Sequence, residues 1–201
     1  LINKHLLLAT TNQGKIEELK IHLKILPLQI SSLRDLHLRV FFPETGRTFL
    51  ENARGKSLFY SQNWKDLTLA EDSGLEIDYL DGAPGVFSSR FAGPEATDED
   101  NLQKVLSLLE GVPQDQRVAR FVSCMVLCQK GNIVKEIQEH ARGFITTDKR
   151  GSNGFGYDPI FLYPPLNKTF AELSSEEKNA VSHRGHALTQ LSSFLQEHLK
   201  E

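Results

Sequence analysis

Cysteine is scarce: the 201 residues hold two, Cys124 and Cys128. They lie four apart in an apolar stretch. On a strand they would share a face but sit too far apart for an easy disulfide, so two reduced, buried thiols are expected. No apolar run approaches the ~18 residues of a membrane span. The apolar segment around Leu6–Leu8 lacks the length and small-residue cleavage site of a signal peptide. No membrane association is therefore expected, and a cytoplasmic location is. Positive charge is not in excess, with 23 Lys and Arg against 26 Asp and Glu for a formal charge of -3. That balance argues against sequence-independent binding to long nucleic acid, which wants a basic face. A small anion held by a few local cations stays compatible. Repeats, low-complexity tracts and Pro/Gly/Ser-rich linkers are also missing. One domain, or two lobes sharing a sheet, fits this length better than two independent domains.

What is present alternates between strand and helix signals. His5–Thr10 is a short apolar run ending in good cap residues. Ile16, Leu19, Ile21, Leu23 and Leu26 then recur at mostly helical spacing until Pro27 stops the pattern. Leu28–Ile30 reads as a short strand and Phe41–Gly46 as a loop. Thr48 with Glu51 is a capping-box pattern opening a second helix to about Tyr60. Leu67–Ala70 and Leu75–Leu80 read as two strands, the latter closed by Asp81 and Gly82. Thr97 with Asp100 opens a third helix ending near Gly111, and Val118–Gln129 with Ile133–Ala141 forms a long hairpin across Lys130-Gly131-Asn132. Ile160–Leu162 is a further short strand. Ser174 with Glu177 caps a helical segment, and Ala187, Leu188, Leu191, Phe194, Leu195 and Leu199 give the last helix its apolar face. The expected class is α/β with a mixed sheet.

Five segments could carry chemistry. Thr10-Thr-Asn-Gln-Gly-Lys15 lies where a strand feeds a helix N-terminus, which favours a phosphate, although the spacing is not that of a Walker A loop and a plain capped helix fits equally. Ala70-Glu-Asp-Ser-Gly74 puts two adjacent carboxylates at an apparent strand end. If the strand continues, Glu71 and Asp72 point to opposite faces, so a solvated turn and a Mg²⁺ ligand stay in balance. Glu44, in a Pro-Glu-Thr-Gly loop, is a candidate second oxygen ligand. Gly151-Ser-Asn-Gly-Phe-Gly-Tyr-Asp158 has three glycines in a spacing unlike the dinucleotide-binding fingerprint. With Phe155 and Tyr157 it describes a loop presenting aromatic faces, to a nucleobase or to the core. Ser182-His-Arg-Gly-His186, with Lys178 upstream, fits neither a zinc site nor a serine nucleophile; it offers donors for a keto or phosphate oxygen.

Taken in order with Thr48-Phe-Leu-Glu-Asn-Ala53 and Gly82-Ala-Pro-Gly85 through Gly93, these segments resemble the inosine triphosphatase family, the pyrophosphatases of deaminated purine nucleoside triphosphates. The resemblance runs from the first strand to the last helix. It implies a single two-lobed domain over 1–201, an α/β fold around a long mixed central β-sheet flanked by helices, a homodimer and a need for Mg²⁺. It implies hydrolysis of ITP, dITP and XTP to the monophosphate and pyrophosphate, cleansing the nucleotide pool. By position, Thr10, Thr11, Asn12, Gln13, Gly14, Lys15 and Lys56 would hold the triphosphate, and Ser73 would contact substrate. Glu44 and Asp72 would bind the metal, with Asp72 also activating water. Phe155, Gly156, Tyr157, Asp158, Lys178, His183 and Arg184 would contact substrate, the last two at the base. Thr11 stands where that family has glycine, and His186 where lysine is common.

The charge arithmetic agrees. A triphosphate carries about four negative charges, which Lys15, Lys56, Lys178 and one Mg²⁺ can match. Donors from His183 and Arg184 would pair with the C6 keto group of hypoxanthine or xanthine and be orphaned by the amino group of adenine. Two alternatives are a Maf-like pyrophosphatase of modified pyrimidine or methylated nucleotides and a nucleotide-binding regulator without turnover.

Overall fold

The computed structural model describes residues 4–37 and 41–200. The sequence-based domain limits at 1 and 201 lie outside that range. The elements, in chain order, are β1 (Lys4–Leu8), α1 (Gln13–Leu23), β2 (Leu28–Ser32), α2 (Phe49–Ser61), β3 (Leu67–Ile77), α3 (Asp98–Leu108), β4 (Val118–Gln129), β5 (Asn132–Ile145), β6 (Phe161–Tyr163), β7 (Lys168–Thr169), α4 (Ser175–Val181) and α5 (His183–His198). The strands form one seven-stranded sheet ordered β2-β1-β3-β4-β5-β6-β7. β1 runs parallel to β2 and β3, whereas β5, β6 and β7 pair antiparallel. The expected mixed sheet flanked by helices is what the chain adopts.

Two compact units divide the chain. The first comprises the residues through Asp72, Ser123–Glu139 and the residues from Ala187 on. Its cores follow from the alternation of β1. Leu6 and Leu8 pack with Leu19 and Leu23 of α1 and with Leu188, Leu191 and Leu195 of α5, while Leu7 and Ala9 pack with Tyr60 of α2 and Ala70 of β3. The second unit comprises Ser73–Val122 and His140–His186. Leu75 and Ile77 of β3, Leu102 and Val105 of α3, and Phe121, Ile145, Phe161 and Phe170 make its core. Arg117, 4 % exposed, closes the end of α3 by donating to the carbonyls of Leu109 and Val112, and it also donates to that of Thr146.

Local signals explain most boundaries. Asn12 caps α1 by accepting from Lys15 N at 3.0 Å, and α1 ends at Leu23, a turn before Pro27. Thr97 and Asp100 make a full capping box, as do Ser174 and Glu177. The third expected box is displaced. Thr48 accepts from Glu51 N, but the Glu51 carboxylate accepts from Arg47 N, one residue earlier than the box requires. The hairpin turns at Lys130 and Gly131, both with positive φ (49° and 78°), as a two-residue turn compatible with strand twist demands.

The main departure from expectation is β3. Two strands were expected with a turn at Glu71–Gly74, yet the chain runs straight through from Leu67 to Ile77. Both carboxylates find partners without leaving the strand. Ser123 Oγ of β4 donates to Glu71 Oε1 at 2.8 Å, and Asn52 Nδ2 of α2 donates to Asp72 Oδ2 at 2.9 Å. Residues 78–80, expected to be strand, form a 3₁₀ turn.

Candidate functional site

In the first unit the site grows from the buried face of α2. Phe49, Asn52, Ala53, Lys56, Ser57 and Tyr60 recur at helical spacing and are all buried, so three polar side chains sit where apolar ones belong. Each has a partner across the fold. Ser57 Oγ donates to Thr68 O, Lys56 Nζ donates to Glu71 O at 3.2 Å, and Asn52 reaches Asp72. Lys56 also forms an ion pair with Glu44, carried by the loop before α2.

Asp72 is 8 % exposed. Burial pushes its carboxyl above the ordinary aspartate range, and the neighbouring charge of Glu44 pushes the same way. The charges of Lys15 and Lys56 and the Asn52 hydrogen bond oppose this without cancelling it. Asp72 thus lies near enough to Lys15, Glu44 and Lys56 to feel their charges. The α1 N-terminus completes the set. Thr10 Oγ1 accepts from Asn12 N, Asn12 caps the helix, and Gln13 bonds Glu17 and Arg34. Thr11 is exposed between them.

In the second unit a different set converges on the glycine-rich loop. Gly151, Gly154 and Gly156 all have positive φ (80°, 76° and 61°). At Gly154 a Cβ would also run into the Asp158 carboxylate. Asp158 Oδ2 accepts from Phe155 N at 2.9 Å and from Lys178 Nζ at 2.6 Å, and both charged side chains are almost fully buried. Asp98, at the start of α3, accepts from Gly156 N at 2.8 Å. The result is a half-buried Phe155 ring with Lys178 Nζ 5.0 Å and Arg184 Cζ 5.4 Å from its centroid. Arg184 also donates to Ser73 Oγ at 3.0 Å. His183 is buried and stacks on Phe121, with centroids 4.8 Å apart and planes 9° apart.

The expected residues therefore gather in two groups. Thr10–Lys15, Glu44, Lys56 and Asp72 belong to the first unit, and Ser73, Phe155–Asp158, Lys178, His183 and Arg184 to the second. Tyr157 and Lys178 each have a partner inside the fold. Tyr157 turns into the core and donates its hydroxyl to Ser88 O at 2.7 Å. The charge of Lys178, counted towards a triphosphate, is already matched by Asp158. His186 lies on the surface against the Ala180 carbonyl. Sequence reasoning passed over Asn52, Asp98, Phe121 and Ser123. Asn52 alone left a trace, standing four residues before Lys56 and so on the same helix face.

Among the described residues no group of three or more His, Cys, Asp or Glu side chains could hold a metal. Asp72, buried and with its protonation favoured by the charge of Glu44, nonetheless gives with Glu44 a donor pair of the kind a hard cation takes when it binds one or two carboxylates and fills its remaining positions with water and phosphate. The donor set fits Mg²⁺.

Fold and side chains together define an α/β protein whose sheet carries a buried carboxylate ringed by lysines, a chemistry suited to phosphate esters. The sequence profile of the Ham1 family matches residues 6–194. The chain is 45% identical to the dITP/XTP pyrophosphatase of Bacillus licheniformis over 96% of its own length and 98% of that protein. It is 42% identical to the enzyme of the same name from Bacillus subtilis, over 98% and 99%. Among solved structures it is similar to the Staphylococcus aureus Ham1 protein, with a TM-score of 0.86 at 37% identity, covering 97% of this chain and 100% of that one. This chain belongs to the Ham1 family.

Proposed function

We propose that this protein hydrolyses deaminated purine nucleoside triphosphates (ITP, dITP and XTP) to the monophosphate and pyrophosphate, and so cleanses the nucleotide pool. The observation that carries the reading is the buried Asp72 carboxylate within reach of the charges of Lys15, Lys56 and Glu44, in a chain similar over nearly its whole length to two dITP/XTP pyrophosphatases.

The phosphates are assigned to the first unit's residues. Backbone N–H groups at the start of α1 and the ammonium groups of Lys15 and Lys56 offset the anionic charge. Glu44 and Asp72 would hold Mg²⁺, which when bound supplies charge neutralisation at the phosphoryl oxygens. Asp72 accepts a proton from the attacking water. Lys56, paired with Glu44, keeps that loop against α2.

The purine is assigned to Phe155, His183 and Arg184. Phe155 offers a ring for stacking. The Arg184 guanidinium, held by Ser73, and the His183 ring, held by Phe121, supply donors of fixed orientation for a 6-keto oxygen. Lys178 and Asp158 hold the loop that carries Phe155. Mg²⁺ dependence, a homodimer and a cytoplasmic location complete the reading, and these follow from the family resemblance alone.

The test is a panel of ITP, dITP, XTP, dUTP and dTTP with Mg²⁺, with products resolved as monophosphate, diphosphate, pyrophosphate and phosphate. Pyrophosphate with IMP or XMP is the expected outcome. Faster turnover of the pyrimidines, or release of single phosphates, would replace the proposal.

A further inference from the structure

Asn52 has no place in the assignments above, yet it is 1 % exposed and uses both ends of its amide. Its Nδ2 donates to Asp72 Oδ2 at 2.9 Å, and its Oδ1 accepts from Gly46 N at 2.8 Å. Gly46 lies two residues after Glu44 in the loop before α2. The approach there is close. A Cβ on Gly46 would meet Asn52 Oδ1 at 2.6 Å and Asn52 N at 3.0 Å, so glycine lets the loop settle on the amide. Asn52 itself is fixed by α2, whose first turn is capped by Thr48 and whose next buried turn presents Lys56 to Glu44.

We infer that Asn52 is a positioning residue: its amide bridges the Glu44 loop to Asp72 and so sets the spacing of the two carboxylates that would hold the metal. The inference rests on the metal roles given to Glu44 and Asp72 above. Three features make the bridge more than a filled hydrogen-bond requirement. Asn52 spans the two segments that bear the paired acids, one end on each. Its donor contributes a neutral dipole rather than a charge, so it aims the Asp72 carboxylate without neutralising it as a further lysine would. The lone pairs of Asp72 Oδ2 are also divided: one meets Asn52, which biases the direction in which the carboxylate faces a cation. Groups that orient metal ligands in this way typically change metal affinity or activity 10–100-fold when lost.

Two variants test the bridge. Asn52→Leu keeps the volume and removes both hydrogen bonds; Asn52→Asp keeps an acceptor for Gly46 N and removes the donor to Asp72. Mn²⁺, a paramagnetic stand-in for Mg²⁺, is titrated into each protein without nucleotide, and the free ion is followed by electron paramagnetic resonance. Folding is checked by circular dichroism, and kcat and KM for ITP are measured in parallel. Asn52→Leu is expected to weaken Mn²⁺ binding ~10–100-fold and to lower kcat by a similar factor while KM changes less than about threefold. Asn52→Asp is expected to lose kcat comparably although its loop stays tied. Unchanged Mn²⁺ affinity in Asn52→Leu, or a kcat in Asn52→Asp within twofold of the parent, would overturn the inference. If Asn52→Leu does not fold, Asn52→Asp decides. A parent chain that fails to release pyrophosphate from ITP defeats the proposed function instead, and the Mn²⁺ titration still judges Asn52 by itself.

Discussion

The ion pair between Lys178 and Asp158 offers the sharpest quantitative forecast. Their charged atoms lie 2.6 Å apart, and the side chains are 7% and 4% exposed. Taking two charges out of water is expensive, and breaking such a pair by removing one partner costs about 3–5 kcal/mol because the other charge stays buried without it. Asp158→Asn is nearly isosteric and can still accept from Phe155 N, so the change isolates the charge. For a chain of this size, each kcal/mol moves Tm by roughly 2–4 °C, so Asp158→Asn should melt ~6–20 °C lower. Lys178→Met, which removes the cation facing the Asp158 carboxylate, should fall in the same range. The double variant should recover most of the loss, since replacing a buried pair by neutral groups of similar volume is often neutral or stabilising. Urea unfolding of the four proteins gives the coupling energy directly. Single variants within 1 kcal/mol of the parent, or a double variant less stable than both, would refute the argument.

Three further outcomes follow from named residues. Asp72→Asn should abolish turnover yet raise the Tm of the metal-free protein at neutral pH. The folded state holds the Asp72 proton more tightly than the unfolded chain does, so ionisation costs stability as pH rises from about 4 through the folded value; the difference in Tm between the two proteins should vanish at low pH and reach its plateau above that value. An active Asp72→Asn protein, or one destabilised at pH 7, would contradict this. Phe155→Ala should raise KM for ITP by ~5–150-fold, the equivalent of about 1–3 kcal/mol of stacking on the base, with Tm little changed; an unaltered KM would remove Phe155 from the site. Cys124 and Cys128 are both buried and outside any disulfide, and burial pushes Cys128 up, so neither should react with a thiol reagent until the protein unfolds. Fast labelling of the native protein would show that they are accessible.

Local chemistry was legible in the sequence; long-range pairing was not. Caps at Asn12, Thr97 and Ser174 and the stop after α1 are dictated within four residues of chain, and the structure has them all. β3 was misread because Glu71, Asp72, Ser73 and Gly74 look like a turn when taken alone. Only Ser123 and Asn52, 52 and 20 residues away, show how two carboxylates can stay in a buried strand. The glycine loop gave a similar lesson. Its aromatics were visible, but nothing local said that Phe155 would lie under two cations while Tyr157 anchors the core through Ser88. Lys178 was read as a free charge for phosphate because its partner lies 20 residues earlier. Strand β7, two residues long, has no period to detect.

The most direct measurement is kcat/KM for ITP against ATP under one set of conditions with Mg²⁺. Donors fixed by Ser73 and Phe121 should leave the adenine amino group unpaired, so ITP should be preferred by roughly 10² or more, with pyrophosphate as the product. Turnover of ATP within tenfold of ITP would mean that these side chains do not select the base.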